Sequence, residues 1–314
     1  MAERSGGPLV VVHGGAGGSK EDEDGCRAAA AAGMRRFDAG EDALSAVVAA
    51  VVVLEDDGRF NAGSGAVLCL DGSTVEMDAS IMDTRGNLGA VACIQRVKNP
   101  VLVARAVAGT AHWLLAGEGA ERYARSAGFP EQLVIGAKAR HKHETMLAQL
   151  AGEEPAMPGV ENSRFARDWN YAQPFPQAAQ PKGQGACDTV GAVARDAEGH
   201  YAVACSTGGS APSLLGRVGD TPIIGSGFYA GPEGAVAATG IGEYIVRHLL
   251  AHTVYQWIAA GTPIEEALQR GVGLFSSDVD VGLIAVSRHG AASFSNRPMP
   301  GAQMGEGGHH GATR

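Results

Sequence analysis

The hydrophobic pattern of the chain falls into two β-rich blocks with helices beside them. Leu9–Val12 is a short continuous apolar run, as expected for a buried strand, and it ends at His13-Gly14-Gly15-Ala16-Gly17. Residues 21–38 and 42–54 have helical patterns, and the second is apolar nearly all round, which predicts a buried helix. Residues 66–70 and 73–79 read as strands about the Asp71-Gly72 turn, and 89–95 as a further strand. Helices are predicted over 101–115 and 120–126. From Gly152 to Gly185 periodicity is lost and Pro155, Pro158, Pro174, Pro176 and Pro181 accumulate, the pattern of a long loop. The β pattern then returns as a hairpin over 190–195 and 201–206, and as a strand over 223–229. A long helical stretch is predicted over 234–260. A shorter helix over 263–270 is opened by Thr262 and Pro263, and a last hairpin spans 281–286 and 291–295. Strands, helices and strands again suggest two sheets covered by helices. The Gly/His-rich tail 305–314 reads as disordered.

Composition narrows the function classes. Hydrophobic residues make up 45 % of the 314 and charged residues 19 %, an ordinary globular balance. The net charge of -9 with no basic stripe argues against a nucleic-acid partner. The longest apolar run, 43–54, contains Ser45 and is too short to cross a bilayer. No secretory signal is apparent at residues 1–12. The five cysteines are odd in number, widely spaced and without CxxC, so no disulfide frame or structural zinc is expected and a cytoplasmic location is the default.

The candidate chemistry centres on Thr189, at the junction of the long loop with a strand. A threonine hydroxyl inside a chain lacks an activating neighbour. If the preceding peptide bond is cut, the freed α-amine, with an ordinary pKa near ~8, can serve as general base for the same residue's hydroxyl. Taken alone, Thr189 would read as a strand threonine. Two other motifs are weaker. His13–Gly17 lacks the spacing of a phosphate loop, and His141-Lys142-His143 and His309-His310 read as solvated loops rather than metal ligands. Cys187 has no free amine beside it to activate it as a nucleophile.

A set of segments resembles the plant-type L-asparaginases, also called isoaspartyl aminopeptidases, within the N-terminal nucleophile hydrolases. They are His13–Gly17, Phe60–Gly65, Glu76–Asp83, Asp188–Val193, Ser206–Gly209, Gly216–Asp220 and Thr239–Glu243. Together they cover nearly the whole chain apart from the linker and tail, and their joint order is specific where each glycine motif alone is weak. The resemblance implies an α+β fold, a four-layer αββα sandwich. It implies one domain over 1–314, autocleaved into an α chain of 1–188 with a flexible linker at about 152–186, and a β chain of 189–314. It implies assembly as (αβ)2. The implied substrates are small molecules, L-asparagine and β-aspartyl dipeptides.

By the same resemblance Thr189 is the nucleophile, first on the carbonyl of Asp188 during autocleavage and then on substrate. Thr207 supports it by a hydrogen bond. Thr239 and Gly240 form the oxyanion site, Gly240 also touching substrate. Arg217 and Asp220 clamp the α-carboxylate and α-ammonium, and Asn61 sits near the nucleophile. No cofactor is required. A structural sodium is implied on backbone carbonyls of Leu54, Glu55, Asp57, Phe60, Ala62 and Ser64. Two departures leave alternatives open. Asp188 replaces the usual glycine and favours a glycosylasparaginase, whereas Gly208-Gly209 favours the asparaginase branch. Ile241 stands where relatives often carry threonine. An unprocessed protein that binds an amino acid without turnover is the third reading.

Overall fold

A computed structural model describes residues 6–132, 135–176 and 189–305. It is a mixed α+β structure with two sheets and several helices. In chain order the elements are β1 (Leu9–His13), α1 (Glu23–Asp38), α2 (Ala43–Asp56), β2 (Met77–Asp83), β3 (Leu88–Ile94), α3 (Pro100–Val107), β4 (Leu114–Ala116), α4 (Gly117–Ser126), α5 (Ala137–Leu150) and α6 (Ser163–Arg167). There follow β5 (Val190–Arg195), β6 (Tyr201–Thr207), β7 (Phe228–Gly231), β8 (Gly234–Gly240), α7 (Gly242–His248), α8 (Leu250–Ala259), α9 (Ile264–Val272), β9 (Val281–Ser287), β10 (Gly290–Ser295) and β11 (Gly301–Gly305).

Seven strands form one sheet in the order β11-β1-β5-β6-β2-β3-β4, and four form the other in the order β10-β9-β8-β7. Pairing is antiparallel except between β3 and β4. The continuous apolar strands follow from burial on both faces. Side chains alternate along each strand. In β1, Val10 and Val12 join a core with residues of α1 to α4, while Leu9 and Val11 point the other way. There they meet Phe228, Ala235, Ala237, Ile284 and Val286 of the smaller sheet. The outer face of that sheet, with Val236, Ala238 and Leu283, packs on α8 and α9.

Several elements differ from the sequence reading. The stretch 234–260 is not one helix: residues 234–240 are β8, and α7 and α8 follow. Ala235, Ala237 and Ala238 are helix formers by propensity, yet as small residues they fit the tight space between two cores, so packing overrides propensity. Leu249, at φ 44, separates α7 from α8. The Asp71-Gly72 turn forms, with Asp71 accepting the Ser73 and Thr74 N–H groups, but no strand precedes it. Val67 N–H is held instead by Asn61 Oδ1 at 2.9 Å. Helix α3 stops at Val107, where Thr110 bonds back to the Val107 carbonyl, and β4 occupies residues placed in that helix. The strand expected over 223–229 begins only at Phe228. His141 and His143 lie on α5 rather than in a loop, and β11 carried no alternating signal in the sequence. Most of the predicted loop 152–185 that is described, 152–176, carries α6 and a buried cluster that includes Phe165 and Tyr171. The tail 306–314 lies outside the described residues.

Candidate active site

The topology gathers strand ends from both sheets. Thr189 directly precedes β5, and Val190 pairs with Ser206, which brings Thr189 opposite Thr207 at the end of β6. On its other side Thr207 pairs with Asp78 of β2. His13 ends β1 opposite Gly191. From the second sheet, Thr239 and Gly240 end β8.

Thr189 is buried, and its Oγ1 donates to Thr207 Oγ1 at 3.3 Å. Thr207 Oγ1 also accepts Gly209 N–H at 3.1 Å, which fixes its rotamer. Thr239 Oγ1 donates to the Thr189 carbonyl at 3.5 Å and accepts Ala16 N–H at 3.4 Å. Thr239 lies at a strand end rather than in the helical stretch predicted over 234–260, and α7 starts only at Gly242. Gly240 has φ 139, and a Cβ there would strike the Asp280 carbonyl, so glycine is required. Asn61 bridges two segments: its Nδ2 donates to the Gly209 carbonyl at 2.7 Å and its Oδ1 accepts Val67 N–H. It therefore shapes the wall of the site.

One narrow pocket is lined by Thr189, Thr207, Gly209, Ser210, Arg217, Gly219, Asp220, Thr221 and Gly240. Five of the residues singled out from sequence thus share one pocket, with Thr239 and Asn61 directly behind it. Asp220 is 3 % exposed, and burial pushes its carboxyl up to about 7 against the opposing pull of Arg217. Arg217 makes a two-pronged ion pair with Glu243, Nε to Oε1 at 2.9 Å and an NH2 to Oε2 at 2.8 Å. Burial alone would raise the Glu243 carboxyl, but the Arg217 hydrogen bonds leave it lowered.

Three groups here were missed from sequence. Glu243 lies inside a recognised segment, yet nothing in its spacing says that it reaches Arg217. Buried Asp78 accepts Cys93 N–H at 2.8 Å, and its carboxyl is raised to about 6 by burial. His13 is fully buried, and that burial lowers its pKa to about 3 against a weaker opposing influence of the Thr189 backbone. The described cysteines, Cys26, Cys69, Cys93 and Cys205, are buried, unbridged thiols with raised pKa values, so none is poised as a nucleophile. Asp188 and Cys187 lie outside the described residues. Among the described residues no cluster of His, Cys, Asp and Glu suits a metal, and no helix is long and apolar enough to cross a membrane.

The loop proposed for a monovalent cation follows α2. A Cβ on Gly63 would lie 2.5 Å from the Glu55 carbonyl oxygen, and one on Gly65 would lie 2.8 Å from that of Gly58 and strike that of Phe60. The carbonyls of Glu55, Gly58 and Phe60 thus face Gly63 and Gly65, and backbone oxygens are the donor type that a hard cation takes. The carbonyls of Asp57, Phe60 and Ala62 each accept one backbone N–H, which leaves a second lone pair on each.

These features define the class first: a two-sheet α+β protein whose strand ends assemble hydroxyl groups, an arginine and a buried aspartate around a small pocket. Comparison with known proteins then gives the family. The family model for asparaginase matches residues 6–309. The chain is 38 % identical over 280 residues to an isoaspartyl peptidase/L-asparaginase of Mus musculus, covering 86 % of this chain and 77 % of that protein. It is 38 % identical over 278 residues to the Homo sapiens protein of the same name, covering 86 % and 82 %. It is 39 % identical over 273 residues to a plant-type L-asparaginase of Pyrococcus furiosus, covering 84 % of each. The chain belongs to the asparaginase family and is a hydrolase.

Proposed function

We propose that the protein is an autoprocessed threonine hydrolase that converts L-asparagine to L-aspartate and ammonia and cleaves β-aspartyl dipeptides. The observation that carries this reading is one pocket bordered by Thr189, Thr207, Gly240, Arg217 and Asp220. The two facing sheets with helix cores on their outer faces support a four-layer αββα arrangement.

Cleavage before Thr189 releases its α-amine. The amine takes the proton from Oγ1 as that oxygen attacks the β-carbonyl of the substrate. Gly240 N–H and the Thr239 hydroxyl, which turns from its long bond to the Thr189 carbonyl, stabilise the oxyanion. The tetrahedral species collapses, the C–N bond breaks, and the proton passes to the leaving ammonia or amino acid. Water then attacks the acyl-enzyme, with the same amine as base, and aspartate leaves. Thr207 orients the nucleophile. Arg217 binds the α-carboxylate while Glu243 holds its guanidinium in plane. Asp220 binds the α-ammonium. A monovalent cation on the carbonyls of Leu54, Glu55, Asp57, Phe60, Ala62 and Ser64 would supply no chemistry; it would stiffen the loop that carries Asn61.

The test is turnover of L-asparagine, a β-aspartyl dipeptide and N-glycosylated asparagine by the purified protein. Ammonia from the first and free amino acid from the second are expected. Turnover of the glycosylated substrate alone would turn the reading to a glycosylasparaginase, and aspartate binding without turnover would turn it to a binding protein.

A further inference from the structure

The loop that carries Arg217 and Asp220 takes much of its hydrogen bonding from side chains outside it. Gly209 is held by Thr207 and Asn61, and Gly216 N–H donates to Glu76 Oε2 at 2.7 Å. The stretch between them is met by the segment that precedes the proposed cleavage point. Asn170 bonds to Leu215 in both directions: Nδ2 donates to the Leu215 carbonyl at 2.9 Å, and Oδ1 accepts the Leu215 N–H at 3.0 Å. That is the pattern of a neighbouring strand, supplied by one side chain. Tyr171 Oη donates to the Ser213 carbonyl at 2.9 Å.

Apolar packing joins the same two pieces. Trp169 contacts the rings of Tyr171 and Phe175 at centroid distances of 4.6 and 5.1 Å. Ala211, Leu214 and Leu215 of the loop pack against the cluster that contains these rings. The segment has its own internal order. Asn162 donates to the carbonyls of Gln149, Gly152 and Glu154 and accepts Ala156 N–H, folding 149–162 around one amide. Pro158 of this segment also accepts from Tyr244 Oη at 3.5 Å, on the helix that carries Glu243.

We infer that residues 157–175 are a built part of the substrate site, an outer brace on the loop 209–220, and that Asn170 is a positioning residue for Arg217 and Asp220. The inference rests on the reading of Arg217 and Asp220 as the clamp for an amino-acid substrate. It goes beyond that reading in assigning function to a segment whose proline-rich sequence suggested only a spacer. Cleavage before Thr189 would place brace and loop in different chains, so the brace must then hold the loop without a covalent link. Substrate affinity would thereby depend on the C-terminal part of the first chain.

The experiment uses the full-length protein with Asn170→Ala and Tyr171→Phe, singly and together. Asn170 is exposed, and Tyr171→Phe removes only a hydroxyl, so both variants keep the core. KM and kcat are measured with a β-aspartyl dipeptide, and backbone hydrogen exchange is followed over 211–219. Loss of the paired Asn170 bonds is expected to raise KM about three- to tenfold with kcat within about twofold. Exchange should quicken over 211–219 and stay unchanged in β5 and β6. Tyr171→Phe should act in the same direction, and the double variant should exceed either single one. Unchanged KM and unchanged loop exchange in the double variant would overturn the brace. So would a fall in kcat at constant KM. If the wild-type protein does not turn over the dipeptide, the clamp reading fails, and the exchange measurement decides the brace by itself.

Discussion

Asp220 offers the sharpest test of the clamp, because burial has moved its titration into an accessible range. Its carboxyl is raised from 3.8 to about 7, first by desolvation, with Arg217 opposing. An α-ammonium group binds the carboxylate form. At pH 5, about two units below that pKa, only ~1 % of Asp220 is ionised, so aspartate should bind about 100-fold more weakly than on the alkaline plateau, ~2.7 kcal/mol. The slope should approach tenfold per pH unit below pH 6.5 and vanish above about pH 7.5. Binding at pH 6 should release nearly one proton. The assay is calorimetric titration of L-aspartate from pH 5 to 8, in buffers of different ionisation enthalpy. Using product rather than turnover keeps the Thr189 amine, which titrates near ~8, out of the acid limb. Asp220→Asn should bind weakly and without this slope. The same shift has a cost in stability. The folded pKa lies above the unfolded one, so the contribution of Asp220 to stability is full below pH 3.8 and is lost as pH rises through about 7. A wild-type affinity flat from pH 5 to 7.5, or an identical slope in Asp220→Asn, would refute the reasoning.

Thr207→Val should lower kcat on the order of 10- to 100-fold with little change in KM, since it removes a bond to the attacking hydroxyl; steady-state kinetics check this. Gly240→Ala should destabilise by about 2–3 kcal/mol, through a strained φ and contact with the Asp280 carbonyl, and abolish turnover, as read by denaturant unfolding and activity. His13 has a folded pKa of about 3 against 6.5, so its contribution is present above pH 6.5 and lost as pH falls toward 3. His13→Gln should flatten the acid limb of a Tm–pH curve by up to about 1.4 kcal/mol per unit. Replacing sodium and potassium by tetramethylammonium should lower Tm by a few degrees if the loop after α2 holds a monovalent cation, and leave it unchanged if it does not.

The contrast between what the sequence revealed and what it hid has a physical cause. Thr189, Thr207, Arg217, Asp220 and Gly240 were legible because the short segments that carry them match, jointly and in order, those of a known family, although each segment alone is a weak signal. Strands β1, β3, β5 and β6 of the larger sheet were legible because they are buried and their runs are largely apolar, whereas the partly exposed β4 and β11 gave no such signal. Residues 234–240 were not, since Ala235, Ala237 and Ala238 favour a helix locally and become a strand only between two packed layers. Glu243, Asp78 and His13 were invisible as site residues because their roles depend on long-range pairing: Asp78 meets Thr207 only through the β2–β6 register, and His13 meets Gly191 through β1–β5. The segment 157–175 looked structureless because its order comes from single side chains, Asn162, Asn170 and Tyr171, rather than from a repeating pattern.

The central claim is that Thr189 becomes catalytic only as the first residue of a new chain. The direct measurement is intact mass and N-terminal sequencing of the purified protein, alongside Thr189→Ala, with ammonia release followed on the same samples. Two fragments, 1–188 and 189–314, with Thr189 leading the second and activity rising with the fraction cleaved, are predicted, together with an uncut, inactive Thr189→Ala. Full activity in a chain that remains whole would contradict it.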